Sequence, residues 1–261
     1  MQWILQEFED TTKLAAALDR LGIGYSWHKV VPFVGDLSPE PEIPDPNAVV
    51  LFGSYTLWRY AEARALKPGV FRIRPFVREE AWQPYLLNGA DALFLTLRDV
   101  PAKLVDDGSD WFIRPVEDGK EEPGRVRSTG NIIRLAEKVT ALSEDEIPKG
   151  SLRHDTLLML TPPVRILKEW RVWVVRDEVV TWSLYKEGAR VVYRSEIDDD
   201  ALVFARRMVA ANPGYSEAYV IDICQVEDGL RLLETNCINA AGFYEADLLR
   251  LADALDRLGG E

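Results

Sequence analysis

The apolar residues of the first 90 positions fall into short runs separated by segments of helical period. Residues 3–8 read as a strand. Residues 11–21 read as a helix capped by Asp10 or Thr11 at its start and by Gly22 at its end. Residues 25–33 are strand-like, and 35–47 form a loop carrying Pro39, Pro41, Pro44 and Pro46. A short apolar strand at 48–52 runs into Gly53-Ser54 and a helix at 55–66; Pro68-Gly69 stops that helix before a strand at 70–74. The order β-α-β-β-α-β predicts an α/β lobe with a largely parallel sheet. At Gly53-Ser54 the strand-to-helix turn leaves backbone amides at a helix N-terminus, which suits an anion or ligand site and equally an ordinary βα turn.

From residue 90 the pattern changes. Residues 111–115 read as a strand, 118–130 as a polar loop with three glycines, and 131–142 as helical or mixed. A strand at 156–160 ends in Thr161-Pro162-Pro163. Residues 164–175 and 179–186 predict a long hairpin about Arg176-Asp177-Glu178. A helix at 201–211 follows, then a second hairpin of 220–224 and 230–236 about Glu227-Asp228-Gly229. The last element is an amphipathic helix at 245–258, where Leu248, Leu251, Leu255 and Leu258 recur at helical spacing. This half predicts an α+β unit built on antiparallel hairpins, so the chain joins an α/β part to an α+β part.

The second hairpin carries the most chemistry. A turn centred on Asp228 sets Asp222 opposite Glu234 and Val220 opposite Asn236. Strand alternation then puts Asp222, Glu234 and Asn236 on one face. Tyr219, Ile221, Ile223 and Leu233 take the other, with Arg231 reaching water beside the turn. Two carboxylates opposed across a ladder, roughly 5 Å apart at Cβ, repel. A bound divalent cation reverses that cost, and such oxygen ligands suit Mg²⁺. The alternative is a solvated polar face with a chance acid pair.

Cations appear elsewhere in the same half. Arg114 shares a strand face with Phe112, and Lys120 follows beyond a turn; a half-buried arginine holds an anion or a structural carboxylate. In the long hairpin, a turn centred on Asp177 places Lys168 opposite Lys186 and Arg171 opposite Ser183. Opposed lysines suit an anion such as phosphate between them, or snorkel into solvent at the strand ends. Trp170, Trp173 and Trp182 of the same hairpin read as cross-strand packing.

Composition narrows the choices. The 261 residues are 47% hydrophobic and 28% charged, an ordinary globular balance for one large domain or a few small ones. A net charge of −12 disfavours nucleic-acid backbones and anionic membranes as partners. No apolar run is long enough to span a bilayer, and the first residues carry acids where a signal peptide carries lysine or arginine. Cys224 and Cys237 are the only cysteines, so the expected setting is cytoplasmic and reducing. The chain lacks a G-x-x-x-x-G-K-[ST] loop, a protein-kinase signature set, a G-x-S-x-G and an H-E-x-x-H. His28 and His154 lie in unrelated segments, which leaves a Ser-His-Asp mechanism little support.

Three segments together resemble the ATP-grasp superfamily: WFIRPVEDGKEEPG, KEWRVWVVRDEVVTWSLYK and YVIDICQVEDGLRLLETNCINAAGF. In order and spacing they are similar to that fold's first nucleotide strand, its E-x-R-V strand and its D…E-x-N metal hairpin. The resemblance implies an α/β lobe over 1–90 of the kind that precedes an ATP-grasp module, a small lobe over 91–163, and a large lobe over 164–261. Where the superfamily usually has lysine this chain has Arg114, as in a branch of phages and bacteria. The resemblance implies ATP and Mg²⁺ as cofactors, with Asp222, Glu234 and Asn236 holding the metal. It gives Arg114 and Lys120 to phosphates, and the backbone of Leu158, Met159, Leu160 and Thr161 to adenine. Glu169 and Arg171 would line the cleft, Lys168 or Lys186 would neutralise phosphate or substrate carboxylate, and the loop 119–130 would close as a lid.

The expected activity is an ATP-dependent carboxylate–amine ligase acting through an acylphosphate on small-molecule or peptide substrates. The alternatives are a kinase on the same scaffold acting on a non-carboxylate acceptor, a non-catalytic ATP-binding interaction protein, and a plain structural protein.

Overall fold

The computed structural model describes residues 1–261 except 32–33, 55–56, 88, 118–123, 149 and 260–261. The chain forms two compact units: Met1–Ile73 together with Ile166–Glu261, and Arg74–Arg165.

In the first unit, β1 (Gln2–Gln6), α1 (Glu9–Leu21), β2 (Tyr25–Val30), β3 (Leu37–Ser38), β4 (Val49–Phe52), α2 (Leu57–Ala63) and β5 (Pro68–Gly69) build a sheet in the order β3-β2-β1-β4-β5. β1 runs parallel to β2 and β4, and β4 parallel to β5; β3 is antiparallel to β2. Alternation divides the sheet between two helices. Trp3, Leu5, Val50 and Phe52 pack with Leu14 and Leu18 of α1. Ile4, Val49 and Leu51 pack with Leu57, Trp58 and Tyr60 of α2.

Two boundaries differ from the sequence expectation. α1 begins at Glu9, with Phe8 rather than Asp10 or Thr11 at the N-cap position. Thr11 is buried instead: its hydroxyl donates to Gln6 O at 2.6 Å and accepts the Phe8 N–H at 3.3 Å. Nor does a strand form at 70–74; the edge strand is Pro68–Gly69 itself, laddered to Val49 and Val50. An edge tolerates the missing N–H of proline. Gly69 adopts φ +70°, and a Cβ there would stand 2.6 Å from Leu66 O.

The second unit contains β6 (Leu93–Thr96), α3 (Val100–Lys103), β7 (Asp110–Pro115), β8 (Arg125–Ser128), α4 (Thr129–Thr140) and β9 (Leu157–Thr161). Its antiparallel sheet has the order β6-β9-β7-β8. One face buries Ile113, Leu158 and Leu160 against Ile132 and Ala136 of α4 and Val100 of α3. The other carries Phe94, Phe112, Arg114, Val126, Met159 and Thr161. Of the expected polar loop at 118–130, the part from Arg125 onward is β8 and the first turn of α4. The first part of the stretch expected to act as a lid, residues 119–123, lies outside the described residues.

The first unit resumes with β10 (Lys168–Val175), β11 (Glu178–Glu187), β12 (Arg190–Arg194), α5 (Asp199–Ala211), β13 (Ala218–Val226), β14 (Gly229–Asn236) and α6 (Leu248–Asp256). These five strands form an antiparallel sheet in the order β12-β11-β10-β13-β14, and α5 packs on β11, β13 and β14. On one face, Trp173, Val175, Ala218 and Val220 join the α1 side of the parallel sheet, together with Leu251 and Leu255 of α6. α6 starts at Leu248 because Asp247 caps it, its Oδ1 accepting the Leu249 and Arg250 N–H groups at 3.1 Å. No helix among the described residues is long and apolar enough to cross a membrane.

Candidate functional site

Hairpin register decides which side chains meet. Both hairpins close with two-residue turns, one residue tighter than the sequence suggested: Val175 pairs with Glu178, and Val226 with Gly229. Bulges then absorb the difference. In β13–β14 the extra residue is Leu233, which restores the expected register where it matters: Asp222 lies opposite Glu234, and Val220 opposite Asn236. Leu232 rather than Leu233 takes the fully buried position. In β10–β11 there are two extra residues, Val180 and Tyr185. The first brings Arg171 opposite Ser183, as expected; the second carries the register past it, so Lys168 faces Glu187 and Lys186 faces Glu169.

Ser183, Arg171, Asp222 and Glu234 therefore form one row across four strands. Arg171 and Asp222 make a bidentate pair, Nε to Oδ1 at 2.9 Å and Nη2 to Oδ2 at 2.7 Å. Asp222 is fully buried and Arg171 nearly so. Burial pushes the Asp222 carboxyl up to about 6, against the opposing pull of Arg171, with Glu234 and Glu169 adding to the rise. Desolvation works against the charge on Arg171, but its pairing with Asp222 outweighs that, and the guanidinium stays charged. Asn236 Nδ2 donates to Asp222 Oδ2 at 3.3 Å and to Glu234 Oε1 at 3.0 Å, so the two carboxylates and the amide converge.

Glu169 sits on the same face as Arg171, in the adjacent row. It is 5% exposed, receives the Tyr185 hydroxyl at 2.7 Å and pairs with Lys186 Nζ at 2.6 Å. The bulge is what aims Tyr185 at this carboxylate. Tyr244 follows Phe243 in the loop after β14, at φ +50°, and its ring stacks on Tyr185 and Tyr193 at 5.2 and 4.9 Å. The Tyr244 hydroxyl lies 3.4 Å from Arg171 Nη1, and the guanidinium carbon 5.0 Å from the ring centroid.

The trio fits Mg²⁺. Its hard oxygens suit that ion, and a divalent cation offsets the cost of keeping Asp222 ionised in a buried position. Among the described residues no cluster of three or more His, Cys, Asp or Glu is placed to hold a metal. Two carboxylates and an amide are what these residues could offer such an ion, which would take its other ligands from phosphate oxygens or water.

Other expected residues lie elsewhere. Lys168 leaves the site: strand alternation turns it to the α5 face, where it pairs with Asp198 at 2.6 Å. The opposed lysines of the sequence reading therefore do not exist. Lys120 falls outside the described residues. In the second unit Arg114 pairs across the ladder with Met159, and its guanidinium lies 5.0 Å from the Phe76 ring centroid. β9 is flanked by β6 and β7, so the backbone of Leu158, Met159 and Leu160 is already committed to the ladder. The Leu158 and Leu160 side chains belong to the α4 core, whereas Met159 and Thr161 share a face with Arg114.

Sequence reasoning missed Tyr185, Tyr193 and Tyr244. Tyr185 depends on a bulge that no residue pattern marks, and Tyr244 on a left-handed backbone that its side chain disfavours. A signal for the neighbouring loop was present in Gly242, whose carbonyl accepts Arg171 Nη1 at 3.5 Å.

Solved structures share this fold. D-cycloserine synthetase DcsG superposes with a TM-score of 0.61 at 16% identity, covering 99% of each chain. D-alanyl-alanine synthetase A from Vibrio cholerae O1 biovar eltor str. N16961 gives 0.59 at 11% identity, covering 100% of this chain and 97% of that one. The ATP-grasp ligase PsnB, complexed with precursor peptide PsnA2 and AMPPNP, gives 0.52 at 15% identity over 97% and 95%. No curated protein matches the chain by sequence. The model of an ATP-grasp domain family, the third family of its clade, matches residues 63–255, a span that takes in the Arg171, Asp222, Glu234 and Asn236 constellation, and the chain belongs to that ATP-grasp family.

Proposed function

We propose that the protein is an ATP-dependent ligase that activates a carboxylate and joins it to an amine. The observation that carries this reading is the row of Arg171, Asp222 and Glu234 with Asn236 beside it, buried at Arg171 and Asp222, a set of charged and amide groups. Phosphoryl transfer asks for that kind of site, because the work is positioning and charge neutralisation. In this reading 164–261 is the large lobe, 91–163 the small lobe, and 1–90 the lobe that precedes them.

The γ-phosphoryl group of ATP passes to a carboxylate oxygen, giving an acylphosphate and ADP. The amine attacks the acyl carbon, the C–O bond to phosphate breaks, inorganic phosphate leaves, and the nitrogen loses a proton. Asp222, Glu234 and Asn236 would hold Mg²⁺, which when bound neutralises phosphate charge. Asp222 fixes the plane of the Arg171 guanidinium through two bonds. That leaves Nη1, whose contacts are long at 3.4 and 3.5 Å, as the donor available to an incoming anion. Glu169 holds Lys186 at the same face as a second cation. Arg114, on the same sheet face of the second unit as Met159 and Thr161, is the proposed phosphate contact there.

The test supplies MgATP, a panel of carboxylic acids and hydroxylamine. ADP release with hydroxamate formation supports acyl activation. A stable phosphorylated acceptor without hydroxamate favours the kinase alternative, and no ADP with any acceptor removes both.

A further inference from the structure

A pocket of about 230 Å³ opens where α2 ends and the chain turns into the edge strand β5. Ala61, Leu66, Val70 and Phe71, all buried, give it an apolar floor. Glu62, Lys67 and Arg72 stand around its mouth. The backbone at this helix end is spent in a Schellman arrangement: Leu66 N–H donates to Ala61 O at 3.0 Å and Ala65 N–H to Glu62 O at 3.1 Å. Arg72 is spent as well. It pairs with Glu62, and its guanidinium carbon lies 4.9 Å from the Trp58 ring centroid. The exposed Lys67 ammonium has no hydrogen-bond or ion-pair partner among the described residues. An apolar floor below one uncompensated cation is complementary to an anion with an apolar body.

The floor is joined to the end of the metal hairpin. The Val70 carbonyl accepts Cys237 Sγ at 3.0 Å and Asn239 Nδ2 at 3.3 Å, and both residues directly follow Asn236 of β14. Asn239 Oδ1 in turn accepts the Gly53 N–H at 2.8 Å. Ala61, Leu66 and Val70 share one apolar cluster with Cys237, and Phe71 shares another with Ile238 and Phe243. Phe71 stands at φ +54°, a left-handed backbone that a bulky side chain disfavours and that persists only where its surroundings hold it. Whatever orders Val70 and Phe71 therefore also orders the chain next to Asn236.

We propose that this pocket is an effector site for a small carboxylate with an apolar body, its charge on Lys67 and its body on Leu66, Val70 and Phe71. The binding stands on the pocket alone; that it acts on a nucleotide–metal site rests on the ligase reading.

The test titrates the full chain with 3-phenylpropionate and with its uncharged counterpart 3-phenylpropanol, following backbone amide shifts by NMR. The acid should bind saturably, shift Ala65 and Gly69, and bind about threefold or more tighter than the alcohol. Lys67→Gln, a change at an exposed side chain, should erase that difference. Equal affinity of the two probes, acid binding unchanged in Lys67→Gln, or saturable shifts at Gly242 beside Arg171 in place of Ala65 and Gly69 each overturn the proposal. Repeating the acid titration with saturating MgATP tests the coupling. Its affinity should rise by about fivefold, and the acid should tighten MgATP by the same factor. MgATP that binds and leaves the acid's affinity unchanged or weaker overturns the effector role. Acid binding at the pocket without any MgATP binding removes the ligase reading and keeps the site.

Discussion

The two hairpins of the large sheet began from the same expectation and diverge at their far ends. Each closes one residue tighter than the sequence suggests. β13–β14 makes that up with one bulge at Leu233, so its acid pair and Asn236 stand where counting from the turn placed them. β10–β11 carries two bulges, so its register matches the count only in the middle, at Arg171, and has moved on by Lys168. The expected pair of lysines becomes two salt bridges on opposite faces, Lys186 to Glu169 and Lys168 to Asp198. Residue identity fixes what a strand can offer; the number of bulges between turn and site fixes which residues offer it.

The largest test of that contrast removes the bond joining the hairpins. Arg171→Leu leaves Asp222 buried without its partner and should cost about 3–5 kcal/mol. Thermal or denaturant unfolding measures it, and a loss under about 1 kcal/mol would show that the pair is not buried as described.

The next test uses pH. Asp222 has a folded pKa near 6, above the value of about 3.9 for an unfolded aspartate. Below about pH 4 both states hold the proton; between about 4 and 6 the unfolded chain ionises first, so this group lowers stability as pH rises and adds nothing further above 6. Relative to Asp222→Asn, wild type without metal should therefore lose up to about 3 kcal/mol across that window. A difference that grows with pH instead would reverse the assignment of burial as the dominant cause.

Smaller effects separate the two lysines. Lys186→Met strips a buried carboxylate of one partner while Tyr185 keeps its hydrogen bond, and should cost about 1–2 kcal/mol. Lys168→Met breaks a partly exposed pair and should cost less than about 1 kcal/mol. Comparable losses from the two variants, read by unfolding, would mean that both lysines belong to one environment after all.

Much of the fold was legible because it rests on periodicity. The parallel β1, β2 and β4, the helices α1, α4, α5 and α6, and both hairpins follow from the alternation of apolar positions. Boundaries failed where one side chain found a better partner than the local pattern implied, as with Thr11 bonding back to Gln6 and Asp247 capping α6. Opposed Asp222 and Glu234 were legible because two errors, the turn length and the missing bulge, cancelled. The Arg171–Asp222 bond was not legible. It depends on β10 lying beside β13, a long-range pairing that neither hairpin's local sequence encodes. The tyrosine stack was hidden for the same reason, since its three rings come from β11, β12 and the loop after β14.

Calorimetric titration of MgATP into wild type and Glu234→Gln tests the central claim most directly. Glu234 lies at the open end of the row, so the substitution removes a charge while leaving the buried Arg171–Asp222 pair in place. Metal-dependent binding by wild type, weakened about tenfold or more in the variant, is the expected result. No binding by wild type, or equal binding by both proteins, would contradict the nucleotide–metal reading of this site.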